Sequence, residues 1–506
     1  MIEFLSLNIL IFSPLLAAAI IASPLFGTNK IYIRRFAKTF MTCHFLYSLL
    51  FLVFFYFGIE SYYNELNIFG KGWLNKLGIN AAFGVDGFTV ILIISTSLIF
   101  LLSSIASKTV VRTKHKMYYS LLFLLLCTTL GIFCAKDMFV FLTFWQAELI
   151  PLYFLISEWG SSDEKNSSMK YLLSVFAGSM LLTVSMIGLY FYSYYANGTL
   201  SSTIDFLRIY SSDGICPVFL QKIMFWTFFI GFATKLPVFP LHVNFTEVQT
   251  KAITPLNMII SGILVNTAAY GIIRFNFELF PELFTQYAPT IMLLGALNIL
   301  WAALAACKQN DIKKVIAYSS ISFMGIFLMG IASLNKIGID GALFLMISQI
   351  FISAGLFFVV GYIVQSFKTQ SLQEISGLGN KMPRFMFLTY VIIFSTMGIP
   401  FTIGFVGDIL AFIGAFSADF QNGDFPKIVT SIAIIFFILT AIYILRIFHK
   451  MFYGITTEKQ VYDISGHRLT VLAIICFTII LFGIFPDTLM SIYNGVSDLL
   501  NESLRI

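Results

Sequence analysis

The chain is 506 residues long, 58% hydrophobic and only 11% charged, with a formal net charge of +6. So apolar a composition excludes a soluble globular protein of this size and fits a polytopic membrane protein. The six Cys and five His are scattered without metal-ligand or redox spacing, so the cysteines read as small apolar fillers, and the sequence carries no haem, iron–sulfur, flavin or nucleotide motif.

Apolar runs of roughly the 20 residues that cross a bilayer can be taken in chain order. They are 5–26, 39–59, 86–107, 117–134, 138–157, 170–194, 219–242, 252–273, 286–306, 313–333, 339–367, 384–416, 427–448 and 469–492. The expected fold is an all-α polytopic membrane protein of about 14 transmembrane helices. The first run has no basic n-region and no small-residue cleavage site, and is read as a retained helix. The loop 60–85, with Gly70, Trp73 and alternating polar residues, is expected to form a short hairpin on the outer face. The run 339–367 is long for one crossing and suggests a tilted or laterally extended helix. The run 384–416 is too long for one straight span, and Gly398, Pro400 and Gly404 suggest a break in it.

Most of the Lys and Arg fall in the odd-numbered loops, in clusters such as Lys30/Arg34/Arg35/Lys38 and Lys108/Arg112/Lys114/Lys116. The positive-inside rule then places those loops in the cytoplasm or matrix and both termini outside.

The seventh run ends in Gly231-Phe-Ala-Thr-Lys-Leu-Pro-Val-Phe-Pro-Leu-His242. Lys235 is an ammonium deep in apolar sequence, which is expensive and is usually kept for function. Pro237 and Pro240 remove backbone donors and break the helix just after Lys235. Broken helices at membrane depth are tolerated where they are buried in protein or line a wet cavity. Five helices later a second broken run carries Pro400 and then Asp408. An offset of five inverts the topology, so 117–273 and 286–448 read as two inverted five-helix repeats, a transporter design. They are flanked by N-terminal helices and the hairpin loop (1–116) and by a C-terminal helix (449–506), all in one membrane domain.

Glu148, Lys235 and Asp408 are the ionisable residues well inside the spans, with Asp86, Asp137 and Glu158 nearer helix ends. Buried acids and amines joined by water can relay protons. A Glu–Lys pair between neighbouring helices would respond to an approaching charge. Each of these residues could also be a structural charge facing a polar cavity. Tyr318, Ser319 and Ser320 follow the basic helix start Lys313-Lys314 and either line a wet path or bond to their own preceding turn.

Four stretches carry a resemblance. They are Phe144-Trp-Gln-Ala-Glu-Leu-Ile-Pro-Leu-Tyr-Phe-Leu-Ile156, Thr234-Lys-Leu-Pro-Val-Phe-Pro-Leu-His242, Asp311-Ile-Lys-Lys-Val-Ile-Ala-Tyr-Ser-Ser320, and Gly398-Ile-Pro400 with Gly404-Phe-Val-Gly-Asp408. Together with Val85-Asp86-Gly87 and Thr267-Ala-Ala-Tyr-Gly271, they resemble the antiporter-like membrane subunits of respiratory complex I, closest to the chain M type. The resemblance is collinear from about residue 80 to 450. It implies a 14-helix subunit with two inverted repeats and a proton channel along a central charged row, driven by quinone reduction in a neighbouring part of the complex. It also implies that NADH, FMN, iron–sulfur clusters and quinone belong to other subunits, so this chain would carry no cofactor and no redox centre. The expected partners are other membrane-arm subunits, especially neighbouring antiporter-like chains, with the lipid bilayer and protons, and no nucleic acid. The expected location is a bacterial cell membrane or a mitochondrial inner membrane.

Carried across, Lys235 matches the family's seventh-helix Lys, and Asp408 stands where the family has a Glu in its broken twelfth helix. The family's fifth-helix Glu directly follows the Trp, a position that here is Gln146. Glu148 lies two residues on, about 200° around the helix, and is expected to face the other way unless the helix is rotated. The family's eighth-helix Lys is Asn266, its tenth-helix His is Phe323 and its eleventh-helix His is Gln349. The stretch after His242 also departs from the family, as Val243-Asn-Phe-Thr-Glu-Val-Gln249. Amides hold water but do not exchange protons at physiological pH, and Phe323 is expected to dry its section of the path. Gln146, Asn266, Gln349, His242, Tyr318, Ser319 and Ser320 are thus possible polar lining beside a relay of Lys235, Glu148 and Asp408. Three readings follow: a proton-translocating subunit of NADH:quinone oxidoreductase, a diverged paralogue with a structural role, or a subunit of a multi-subunit sodium/proton antiporter.

Overall fold

A computed structural model of the chain describes residues 2–24, 26–56, 61–65, 78–79, 82–160, 164–197, 201–204, 217–420, 423–454 and 462–502. Gly70, Trp73, Cys216 and Arg505 lie outside the described residues.

In hydrocarbon every backbone polar group must be satisfied within the segment, so the chain crosses as helices. They are α1 (Ile2–Ala22), α2 (Lys30–Tyr56), α3 (Gly87–Val110), α4 (His115–Cys134), α5 (Met138–Trp159), α6 (Glu164–Asn197) and α7 (Val218–Ala233). A short α8 (Val243–Lys251) leads to α9 (Thr254–Phe277), α10 (Pro281–Cys307), α11 (Ile312–Ala332) and α12 (Lys336–Phe367). The chain continues through α13 (Pro383–Thr396), α14 (Ile403–Phe416), α15 (Phe425–Phe452), α16 (Gly466–Ile484) and α17 (Asp487–Glu502). Eleven of these helices are long and apolar enough to cross a membrane, and α1, α7, α13 and α14 are shorter apolar helices. Because α13 and α14 are two halves of one broken crossing, the described residues form 14 crossings, the number expected.

The chain before α3 forms a two-stranded antiparallel hairpin, β1 (Ser61–Glu65) with β2 (Ala82–Asp86). Asp86 then caps α3 reciprocally with Thr89, its side chain accepting from the Thr89 N–H while the Thr89 hydroxyl accepts from the Asp86 N–H. Such a box satisfies two donors that a helix start otherwise leaves open.

Several boundaries differ from the sequence reading, two of them with consequences for the ends of the bundle. Helix α2 begins at Lys30, so the basic cluster Lys30/Arg34/Arg35/Lys38 is helical and not loop; long basic side chains can snorkel from a helix end. The last crossing ends at Ile484 and not at 492. Pro486 separates it from α17, which packs across α12 and α3, with an exposed Lys336–Asp498 pair at 2.5 Å beside the contact.

The 32-residue α12 is buried along its spanning length. At 1.5 Å per residue it is about 48 Å long, more than one perpendicular crossing needs. Helix α9 is equally buried and contains two π-helical segments, Ile260–Leu264 and Ile272–Phe277. Wide turns of this kind are frequent at functional sites, and these two flank Asn266.

Candidate functional site

The site is organised by the break after α7. That helix stops at Ala233, and residues 234–242 run as turns through Pro237 and Pro240 before α8 begins. The freed N–H of Phe239 donates to Asn298 Oδ1 at 2.9 Å. Asn298 Nδ2 in turn donates to the carbonyl of Ile321 on α11 at 2.9 Å. One buried amide on α10 therefore fastens the broken segment to two helices.

Lys235 sits at the start of this break. Its Nζ donates to Glu148 Oε2 at 2.6 Å, with the two side chains 1% and 0% exposed. The same ammonium lies 4.1 Å from the centroid of the buried Trp145 ring, which faces it with its π-cloud. Glu148 Oε1 has no hydrogen-bond partner among the described residues.

This corrects the expectation that Glu148 faces away from Lys235. Trp145 and Glu148 are three residues apart, which puts them on one face of α5. That face is turned to α7, where Trp145 packs edge-on against Phe232 at 5.4 Å. Gln146 lies to the side and donates to Ser179 Oγ on α6 at 2.9 Å. The carboxylate that meets the lysine here is two residues from the family position.

Other polar groups are buried in α9, α11 and α12. Gly271 on α9 receives the Phe232 ring so closely that a Cβ there would stand 2.3 Å from a ring carbon. Asn266 is fully buried; its Nδ2 bonds the Gly262 carbonyl at 2.6 Å and its Oδ1 has no partner among the described residues. Gln349 on α12 donates to Ser353 at 2.5 Å, and Ser353 is 3.2 Å from Ser320 on α11. Gln349 Oε1 and Ser322 Oγ have no partner among the described residues. Ser319 turns back to the Ile316 carbonyl of its own helix, so of the two serines only Ser320 joins a neighbouring helix. Phe323 is buried on α11.

His242 closes the break on the other side. Its Nε2 accepts from Trp301 Nε1 at 3.0 Å, and its ring lies against Phe239 and Tyr318.

Asp408 lies on α14, just after the break between α13 and α14. It is 2% exposed, and neither carboxylate oxygen has a partner among the described residues. Gly398, in the break, has φ +65°, a conformation side chains avoid, and a Cβ there would stand 3.1 Å from Asp408 Oδ2. Helix α14 packs on α12 where Gly407 meets Leu345.

The other acids serve the frame. Asp137 caps α5 by accepting from Phe139 and Val140, and Glu158 pairs with Lys114 at the far end of that helix. Asp86 meets Arg274 and Lys136, and Arg274 also holds Glu278 at 2.6 Å. Burial works against charge on Asp86, yet Arg274 and Lys136 outweigh it and hold its carboxyl well below the usual range. Asn298 and this Asp86–Arg274 cluster are absent from the sequence reading. An Asn inside the apolar run 286–306 was the available signal for the first; the second joins residues 188 positions apart, which no local pattern reveals.

Residues 135–435 match the family described as NADH:quinone oxidoreductase/Mrp antiporter, TM. An NAD(P)H-quinone oxidoreductase chain 4 of Synechococcus sp. (strain JA-3-3Ab) is 31% identical, over 90% of this chain and 85% of the relative. The chloroplastic NAD(P)H-quinone oxidoreductase chain 4 of Cryptomeria japonica is 32% identical, over 84% of both. The fold is similar to a chain of respiratory complex I from Thermus thermophilus, with a TM-score of 0.85 at 21% identity, covering 98% of this chain and 99% of that one. It is equally similar to a chain of the Mrp complex from Dietzia sp. DQ12-45-1b, with a TM-score of 0.85 at 18% identity over the whole of both chains.

Proposed function

The chain belongs to the NADH:quinone oxidoreductase/Mrp antiporter membrane-subunit family, and we propose that it is a membrane-arm subunit of a proton-translocating NAD(P)H:quinone oxidoreductase. The supporting observation is the buried Lys235–Glu148 pair at a broken helix. A buried pair contributes little net stability, because desolvation offsets most of the attraction. Two charges kept at such cost in an apolar bundle suit a switch.

While the pair is closed, each charge neutralises the other. A charge arriving from a neighbouring subunit draws one partner away and opens it. Lys235 then releases a proton from Nζ into the polar row, and Asp408, once its own proton has passed on toward the exit side, takes it up. The middle of the row holds Asn266, Gln349 and Ser320, none of which can keep a proton. The unpartnered acceptors of Asn266 and Gln349 suit bound water, which carries the proton across that gap. Redox chemistry with NADH, FMN, iron–sulfur clusters and quinone belongs to other subunits, and the neighbours are other membrane-arm chains. We read 117–273 and 286–448 as the two half-channels. The arginine- and lysine-rich odd loops face the cytoplasm or matrix of an energy-transducing membrane, with both termini outside.

A structural, weakly pumping role is the second reading, favoured by Phe323 where the family has a titratable group. The third, a sodium/proton antiporter subunit, has the shared fold behind it. Proton uptake and quinone reduction measured together on the purified complex in vesicles test the proposal. With Glu148→Gln, quinone reduction continues and fewer protons move. Equal proton uptake in the variant supports the structural reading, and sodium-dependent uptake supports the third.

A further inference from the structure

A second feature lies away from the central row. At the end of the bundle where the Lys and Arg excess gathers, a cleft of about 340 Å³ opens between the ends of α3, α5, α8 and α12 and the start of α11. Its lining includes three cationic residues, Arg112, Lys251 and Lys313, and no Asp or Glu among the described residues. Trp159 stands at its rim, and Gln365 and Gln370 add amides.

Lys313 is the telling residue. It is only 6% exposed, and its ammonium donates to two neutral carbonyls, Thr250 at 3.2 Å and Ala252 at 2.9 Å. No carboxylate forms a salt bridge with it among the described residues. An ammonium has three donors, so one remains for a ligand. Of the described acids nearby, Glu158 pairs with Lys114, and Asp311 caps α11 by accepting from the N–H groups of Lys313 and Lys314. The cleft is therefore a concave, cationic site with a buried positive charge at its floor.

We propose that this cleft binds a phosphate-class anion, carried by the headgroup of an anionic phospholipid. Phosphate oxygens suit a fork from Arg112 and a point charge from Lys313. Tryptophan favours the headgroup level of a bilayer, and basic pockets between transmembrane helices suit anionic headgroups. The helix that ends in Trp159 exposes Ile150 and Phe154 on its outer face, a surface along which an acyl chain can lie. Free phosphate shares the headgroup chemistry but lacks that apolar part.

The test uses the complex purified through this chain and placed in phosphatidylcholine nanodiscs with a trace of photoactivatable phosphatidylglycerol. Crosslinks are mapped by peptide mass spectrometry, with photoactivatable phosphatidylcholine as the neutral control. The expected result is phosphatidylglycerol crosslinking to peptides containing Trp159 or 251–254, with little from phosphatidylcholine. Arg112→Gln should lower that yield by about five-fold, and Arg112→Lys should restore most of it. Equal labelling by both lipids overturns the proposal, and that comparison needs no variant to assemble. Displacement of the label by millimolar inorganic phosphate assigns the cleft to the free anion and overturns the lipid assignment.

Discussion

Lys235 and Glu148 are 87 positions apart in the chain and 2.6 Å apart in the fold, as a fully buried ammonium–carboxylate pair against the face of Trp145. The sequence puts a lysine beside a proline-broken helix and an acid beside Pro151. The fold makes them a unit, with Glu148 and not Gln146 as the partner.

That identity of partner is testable. Glu148→Gln should reduce proton translocation about as strongly as loss of Lys235, because it leaves a buried ammonium without its counter-charge, a change that costs about 3–5 kcal/mol. Gln146→Ala removes only one neutral hydrogen bond to Ser179, worth about 1 kcal/mol, and should leave translocation near wild type. Proton uptake by the two variants side by side gives the answer; the reverse ranking would return the role to the family position.

Asp408 should behave oppositely in stability and transport. Its two oxygens are buried without a partner among the described residues, an arrangement that costs about 1–3 kcal/mol. Asp408→Leu removes that cost, so thermal unfolding of the assembled subunit should be unchanged or shifted upward. Translocation should fall, since the acceptor at the end of the row is gone. A large stability loss with transport retained would show that Asp408 is a structural residue.

The bundle is largely legible in the sequence. The apolar runs give the crossings, and Pro237, Pro240, Gly398 and Pro400 place both breaks, because a missing donor or a left-handed φ acts locally. Besides the Asp86–Arg274 cluster, three features were not legible. The facing of Glu148 depends on how α5 is rotated against α7, which is set by packing of Trp145 on Phe232. The π segments beside Asn266 leave no pattern in an apolar run. Helix α17 was merged with the last crossing, because its apolar face continues that run past Pro486.

Asn298 is the residue that anchors the break. It bonds the Phe239 N–H and the Ile321 carbonyl; the carbonyl keeps its own helix bond, so Asn298→Leu orphans the part-buried Phe239 N–H at about 1–3 kcal/mol. The variant should lower thermal stability and, by loosening residues 234–242, reduce translocation. A variant with normal stability and normal translocation would remove Asn298 from the site's support.

The Asp86–Arg274 cluster predicts a pH dependence. The Asp86 carboxyl is held below its ordinary value near 3.9 by Arg274 and Lys136. The unfolded chain therefore takes up the proton first on acidification. The stability that Asp86 contributes is present above that ordinary value and is lost as pH falls below it. Asp86→Asn should thus be less stable than wild type at neutral pH, with the gap narrowing in acid. A gap that is constant across the acid range contradicts the ion pair as its cause.

The decisive measurement is the proton-to-electron ratio of the assembled complex in sealed vesicles, wild type against Lys235→Ala. Quinone reduction is followed by NADH absorbance and proton movement by an entrapped pH dye. The expected result is a lower ratio in the variant with the complex intact. An unchanged ratio in an intact complex contradicts proton movement through this chain and leaves it a scaffold within the membrane arm.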